Sequence, residues 1–559
     1  MNKFKKLNLL FGVVLLTMIT SCNNEPNLSE TVSQSKNEDW IKLGKKLENP
    51  YSIKNMRLAL QNLKAKKASS TSREAPIDQG FDIQPNYLYV EFQPQTEAEE
   101  AVLKQDSSVV LFDYPLDYEF TDEVLDARPV LASNEVPNYY SAIKIDSEIA
   151  SEAQYQTLEE LYIPEEDPYF GALAPATQKV SDKKENLLDQ LLDEAYKLTG
   201  NERQDAKTKT STTSRLIFGK RWWPSGNIKV WDGMTNSYKP VQGAQVLIRQ
   251  WFTVRQGITD ANGNFSTSSV RGSARYILQW ERYDYSIRNG SLFQAETRGP
   301  KETNVPWNLN IKGGDDEYHA MIHTACNDYY YGSRFGLTSP PRNGTFKRQM
   351  KIAARELNDQ SSTVKAREIW FGAYISIKSW GRASDQVYGT TIHELAHAAH
   401  RQVDTQSYNN VVYDAYTNPC VSSGGCNNLG PTADNNRRLL ETWPTTVEIF
   451  FVLDRYKTKF GLTNYSVYKN NFLNNLQSQT IAGNRYYTSV GFDMTDDFNQ
   501  RVNGFAYPID RVSGYTLTQL EQALVGARSW WQWRDNIKNR YNNPTEIYLD
   551  ELFNNWEYL

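Results

Sequence analysis

From Thr390 to His400 the chain reads TTIHELAHAAH, and this run decides what the C-terminal part must be. Ala396, Ala398 and Ala399 favour a helix and leave it thin enough to pack closely. On a helix, positions i and i+4 share a face about 6 Å apart, so His393 and His397 can converge on one zinc ion. Glu394 points about 100° round the same helix, where it can reach water beside that ion without taking a coordination position. Histidine is scarce, 5 in 559 residues, which makes the spacing informative. Chance would put only about 0.005 copies of the pattern in such a chain.

A catalytic zinc needs a third protein ligand and an open position. His400 lies on the same stripe but about 10 Å along the axis from His393, which fits a cleft-lining or supporting role better than ligation. His319 and His323 repeat the i, i+4 spacing with Ala320 where the acid would be. Packing is the expected role for that pair, a second metal or an oxyanion contact the alternative. Further on, the segment from Leu440 to Leu453 is helical in pattern and carries Glu441 and Glu448 seven residues apart on one face. HELAH followed by "ETWPTTVE" resembles the gluzincins, zinc metallopeptidases in which a Glu from a later helix completes the site. The longer metzincin pattern is absent, since position 403 is Val. The resemblance implies Glu441 as the zinc ligand. On the residues alone Glu448 competes, because Pro444 suits only a first turn or a kink and puts the helix start close to Glu441. The loser of the two would support a ligand histidine or be a plain surface carboxylate.

The run Ile369 to Ile377 is β-rich and stands just ahead of the histidine helix, either as an edge strand able to pair with extended substrate or as an interior strand. Between His397 and Glu441 lies a long Asn- and Gly-rich insertion expected to wall the cleft. Its Tyr408, Tyr413 and Tyr416 are candidate oxyanion donors.

Short strands with turn signals fill the region after Arg215, among them Asn227 to Asp232 and Ala244 to Gln250. The stretch "VQGAQVLIRQWFTVRQGITDANGNFSTS" resembles the carboxypeptidase regulatory-like, transthyretin-type β-sandwich, whose hairpin turn matches Thr259 to Phe265. Asn262 and Gly263 suit a left-handed turn there. Trp222 and Trp223 are expected at a domain junction. Trp530, Trp531 and Trp533 are expected to pack rather than to bind glycan.

Further upstream, 39–66 reads as an amphipathic helical piece, and Tyr87 to Phe92 and Val109 to Tyr114 as strands flanking a helical Glu97 to Lys104. Residues 180–199 form a charged helix with Leu187, Leu188, Leu191 and Leu192 on one face, and Arg203 to Ser214 a polar linker. The net charge of -5 gives no reason to expect nucleic acid as a partner. It is unevenly spread, because residues 81–170 hold 21 carboxylates against Lys104, Arg128 and Lys144. Such a module is acidic and soluble, or else docks on a basic face of the same chain.

At the N-terminus, Lys3, Lys5 and Lys6 precede an apolar run, Leu7 to Ile19, that is too short to span a membrane. Ile19-Thr20-Ser21-Cys22 resembles the lipobox of bacterial lipoproteins, which implies cleavage before Cys22 and its lipidation. Export implies an oxidising compartment, so Cys420 and Cys426 are expected as a small disulfide loop, with Cys326 unpaired and buried.

The expected architecture is multidomain α+β: a signal peptide over 1–21, a lipid-anchored tether and short helix over 22–75, a small acidic α+β domain over 76–175, and a helical linker over 176–214. A transthyretin-like β-sandwich over 215–312 and a zincin-like domain over 313–559, largely helical with a small sheet, complete it. The expected function is an exported zinc metallopeptidase, lipid-anchored in the outer membrane and acting on protein or peptide with Glu394 as general base. The rival is a non-catalytic binding or adhesion lipoprotein, for protein or glycan, that retains the scaffold.

Overall fold

The computed structural model describes residues 43–69, 77, 80–106, 109–120, 136–147, 154–170, 182–201, 221–290, 293–344, 348–356, 363–364, 374–417, 430–463, 480–481 and 486–556. The expected targeting segment with Cys22, the expected polar linker Arg203 to Ser214 and the expected disulfide cysteines Cys420 and Cys426 lie outside them. The fold is mixed α+β, with several sheets and a helical C-terminal part. No helix among the described residues is long and apolar enough to cross a membrane.

The chain begins with strand β1 (Leu43–Lys46) and helix α1 (Ile53–Ser69), which replace the single helix expected over 39–66. The break has a local cause. Pro50 interrupts the pattern, and Ser52 Oγ accepts the Asn55 N–H at 3.2 Å, capping the helix that follows. Strand β2 (Tyr87–Phe92), helix α2 (Glu97–Leu103), and strands β3 (Tyr118–Phe120), β4 (Tyr139–Lys144) and β5 (Tyr155–Leu161) come next. The order β4-β2-β5 makes a small antiparallel sheet. Val109 to Tyr114, expected as a strand, contributes only an isolated bridge from Phe112 to Tyr140. Helix α3 (Asp182–Leu198) buries Leu187, Leu188, Leu191 and Leu192 as its spacing requires.

Ten strands follow between 225 and 311: β6 (Ser225–Asp232), β7 (Ser237–Pro240), β8 (Gln245–Gln250), β9 (Thr253–Ile258), β10 (Asn264–Ser266), β11 (Ala274–Gln279), β12 (Tyr285–Asn289), β13 (Phe293–Gln294), β14 (Glu296–Glu302) and β15 (Trp307–Ile311). One four-stranded sheet runs β10-β6-β15 with β7 beside β6, and another runs β14-β11-β8-β9. Their shared core includes Ile228, Val246, Tyr276 and Trp307. Strand β8 has an almost unbroken buried run because its other face, through Leu247, joins the core of the N-terminal module. In the 260–264 turn Asp260 Oδ1 accepts the N–H groups of Asn262 and Asn264. Only Gly263 there takes a positive φ, 78°, so the left-handed expectation holds for it and not for Asn262.

The hairpin β12–β13 leaves those sheets and pairs forward. With β16 (Met350–Ala354), β17 (Thr363–Val364) and β18 (Tyr374–Ile377) it forms a five-stranded sheet ordered β13-β12-β16-β18-β17. One sheet therefore spans the point at 312/313 where the sequence suggests a boundary. Of the run Ile369 to Ile377, the part described is β18, and it lies between β16 and β17. It is an interior strand, so the edge-strand expectation is corrected: both of its hydrogen-bonding sides are taken.

The acidic module meets this sheet through ion pairs. Lys104 contacts Glu281 at 3.1 Å, Arg348 contacts Glu97 at 3.1 Å, and buried Glu100 pairs with Lys351 and Arg288. Burial alone would raise the Glu100 carboxyl, but Lys351 and Arg288 hold it at about 2.

Helix α4 (Gly314–Tyr331) carries Asp315, Asp316 and Glu317 in its first turn, the sign the helix dipole favours. It packs on α5 (Ser384–Val403), which packs in turn on α7 (Pro431–Leu453); α6 (Thr405–Val412) ends in a π-helical turn, Tyr413–Thr417. Four short helices close the chain: α8 (Val490–Asp493), α9 (Leu517–Gln522), α10 (Trp530–Arg540) and α11 (Leu549–Asn554). Helix α7 departs from expectation. It starts at Pro431 after Gly430, whose φ is 83°, and carries Pro444 in its interior rather than its first turn. Most of its side chains are buried, and that packing outweighs the one backbone bond Pro444 cannot make.

Candidate metal centre

Helix α5 presents His393 and His397 one turn apart, with ring centroids separated by 5.0 Å and planes at 75°. Helix α7 brings the carboxylate that the two rings face. Glu441 Oε2 lies 3.4 Å from His393 Nε2 and 3.5 Å from His397 Nε2. These three residues, all buried, are the one group of three His, Cys, Asp or Glu side chains among the described residues whose donor atoms lie within 4.8 Å of one another. Two imidazole nitrogens and one carboxylate oxygen are a donor set suited to zinc.

Both candidate acids of α7 meet His393, on opposite nitrogens. Glu448 Oε2 lies 3.2 Å from Nδ1, the side away from Glu441. A proton on Nδ1 donates to Glu448, and loss of the Nε2 proton to an incoming metal would leave that nitrogen's lone pair directed toward Glu441 and His397. The other oxygen of Glu441 is taken as well, since Tyr416 Oη donates to Oε1 at 3.2 Å. Arg437 lies 4.6 Å over the Tyr416 ring and donates to Ala415 O at 3.1 Å, fixing the turn that carries the phenol. Of the three insertion tyrosines, Tyr416 thus touches the cluster. Tyr408 packs edge-on against His400 at 4.9 Å, and Tyr413 is exposed.

Glu394, only 2% exposed, is not one of the three clustered donors, and its Oε2 has no hydrogen-bond partner. Burial raises its carboxyl to about 7, with His397 and His393 opposing and Glu441 and Glu448 adding to the rise. Burial opposes the charged form of His393, yet Glu441 and Glu448 raise it to about 10. Glu441 is held well below the usual carboxylate range, because His397 and His393 outweigh its burial. A buried carboxyl poised near neutrality beside a ligand cluster is the combination a general base requires.

Tyr487 is the residue that sequence reasoning missed. Its ring centroid is 5.8 Å from that of His393. Its segment is anchored on α7, where Thr442 Oγ1 donates to Tyr486 O at 3.2 Å and pairs with Thr488 Oγ1 at 2.8 Å. No periodicity links position 487 to 393, so the sequence carries no signal for it.

The remaining histidines stand outside the cluster. His400 is buried with Nδ1 unpartnered, and burial pushes it down to about 3. His323 is shared between Tyr285 Oη at 3.1 Å and Gln242 O at 3.0 Å, and burial lowers it to about 3. His319 is buried and lowered to about 4 for the same reason. These two belong to the core of α4. Cys326 is a buried free thiol. Trp530 and Trp533 are fully buried, as is Trp222, whose Nε1 donates to Gly272 O at 2.7 Å; Trp223 is 66% exposed. No protein-family profile, curated protein or solved structure matches the chain.

Proposed function

We propose that the chain is a zinc metallopeptidase of gluzincin type. The observation that carries the reading is the convergence of Glu441 Oε2 with His393 Nε2 and His397 Nε2 on the helix that also carries buried Glu394, whose Oε2 has no hydrogen-bond partner. In it His393, His397 and Glu441 would hold zinc, which when bound would polarise the scissile carbonyl and acidify a water. Glu394 takes a proton from the attacking water and passes it to the leaving amine, a role suited to a carboxyl near 7. Glu448 orients His393, and Tyr416 keeps Glu441 turned so that one oxygen faces the histidines. Tyr487, whose ring lies 5.8 Å from that of His393, is the candidate to donate to a substrate carbonyl.

Around this site the reading places a lipid anchor at Cys22, export to the cell envelope, and a transthyretin-type sandwich formed by the two four-stranded sheets of 225–311. The rival, a non-catalytic binding or adhesion lipoprotein, would need the metal ligands but has no use for the buried base Glu394. Burial of Trp530 and Trp533 removes two of the rings a glycan reading would use.

The test is a peptide-library digestion with zinc quantified in the same preparation. Wild type should hold one zinc per chain and cleave peptides, with loss on chelation and recovery on zinc addition. Glu394→Gln should keep the zinc and lose at least about 100-fold in rate; cleavage at the wild-type rate in that variant would end the proposal.

A further inference from the structure

Helix α7 carries a cation near the metal cluster that the proposed chemistry leaves without a task. Arg437 stands four residues before Glu441, on the same face of the helix and about 6 Å away along its axis. It reaches two segments that touch the cluster. Its guanidinium lies 4.6 Å from the centre of the Tyr416 ring, whose Oη donates to Glu441. It also lies 5.8 Å from the centre of the Tyr486 ring, and the next residue, Tyr487, is the one set against His393. Tyr486 is tied back to α7, donating its phenol to Asp434 Oδ1 at 2.9 Å. His393, His397 and Glu441 are buried, whereas Arg437, Tyr416, Tyr486 and Tyr487 are half-buried and keep part of their surface in solvent.

Arg437 is fixed in place without being satisfied. Its Nε donates to Ala415 O at 3.1 Å, and the two phenol rings hold the guanidinium. Among the described residues no carboxylate pairs with it, and neither Nη1 nor Nη2 has a hydrogen-bond acceptor. A guanidinium held in this way is preorganised, so little side-chain freedom remains to be lost when its two free nitrogens take up a planar anion.

We infer that Arg437 binds a carboxylate of the substrate close to the scissile bond. The inference rests on the peptidase reading and narrows its substrate class to peptides that present a carboxylate there, either the C-terminal one or that of an Asp or Glu side chain. A carboxylate matches the parallel N–H donors of a guanidinium, which a single amide oxygen does not. The separation of about 6 Å between Arg437 and Glu441 along α7 equals about two residues of extended chain at about 3.3 Å each. The carboxylate therefore belongs one or two residues from the bond that is cut.

The test uses the full zinc-loaded chain and a mixed-sequence peptide set free of Asp and Glu, prepared in three forms: C-terminal acid, C-terminal amide, and C-terminal amide with one internal Glu. Wild type should favour a carboxylate-bearing form over the plain amide by about 10- to 100-fold in kcat/KM, mainly through KM. Release of one or two residues from the free acid assigns the C-terminal carboxylate, and cuts beside the internal Glu assign the side chain. In Arg437→Gln the preference should collapse toward unity. Fluorescence anisotropy with labelled peptides supplies a second readout: Glu394→Gln should bind the favoured form more tightly than the amide, and Glu394→Gln with Arg437→Gln should not. Equal rates on all three forms in wild type overturn the inference and leave the peptidase standing. A preference that survives Arg437→Gln also overturns it, and makes the arginine a brace for the Tyr416 turn. Cleavage of no form removes the peptidase reading, and the binding ratio then decides by itself: equal binding of acid and amide forms overturns the role of Arg437.

Discussion

Replacing Glu448 by glutamine separates orientation of a ligand from ligation itself. Glu448 Oε2 lies 3.2 Å from His393 Nδ1, while Nε2 of the same ring lies 3.4 Å from Glu441 Oε2. In Glu448→Gln an amide oxygen can still accept the Nδ1 proton, but the charge that makes His393 a stronger donor is gone. Partners of metal-ligating histidines are worth about 10- to 100-fold in metal affinity. Retention of an acceptor puts the expected loss near the lower end, about 10-fold or about 1.4 kcal/mol. Glu441→Gln removes a ligand outright. If apparent zinc binding is about 12 kcal/mol, one ligand of three carries on the order of 4 kcal/mol, which is about a thousand-fold. Competition titration against a fluorescent zinc chelator at pH 7.5, with circular dichroism to confirm folding, reads both numbers. The reverse order, Glu448→Gln losing zinc while Glu441→Gln keeps it, would refute the assignment of the two acids.

Protons provide an independent check on the same cluster. Because Glu441 and Glu448 raise His393 to about 10 against its burial, the ring is protonated at pH 7.5, and zinc must displace that proton. Calorimetry in buffers of different ionisation heat should find about one proton released per zinc, with affinity rising as pH rises toward 10; no proton release would contradict the His393–Glu441 geometry. Packing against α7 can be tested at Gly491. A Cβ there would lie 1.9 Å from Thr446 Oγ1. Gly491→Ala should cost about 1–3 kcal/mol, seen as a lower urea midpoint, whereas an unchanged midpoint would show that α8 does not sit this close to α7.

The histidine pair was legible because helical periodicity alone brings i and i+4 to one face, and Glu394 follows from the same geometry. The choice between Glu441 and Glu448 was not, since both lie on one face of α7 and only the placement of that helix against α5 sends one to Nε2 and the other to Nδ1. Pro444 misled the reading of the helix start, while the Gly430-Pro431 pair, where the helix does start, went unused. The same holds for Ser52, a capping residue inside a run read as one helix. Val109 to Tyr114 has strand composition but makes one bridge, because pairing depends on neighbours that a local pattern does not contain. Tyr487 comes against His393 by tertiary packing across segments with no shared period.

The central claim is that one zinc ion sits among His393 Nε2, His397 Nε2 and Glu441 Oε2. Anomalous diffraction from crystals of the zinc-loaded chain, collected on both sides of the zinc absorption edge, addresses it directly. The account predicts a single strong peak about 2.0–2.2 Å from all three atoms, with Glu448 still on Nδ1 of His393. A peak bonded to Glu448 in place of Glu441, or no peak at this cluster, would contradict it.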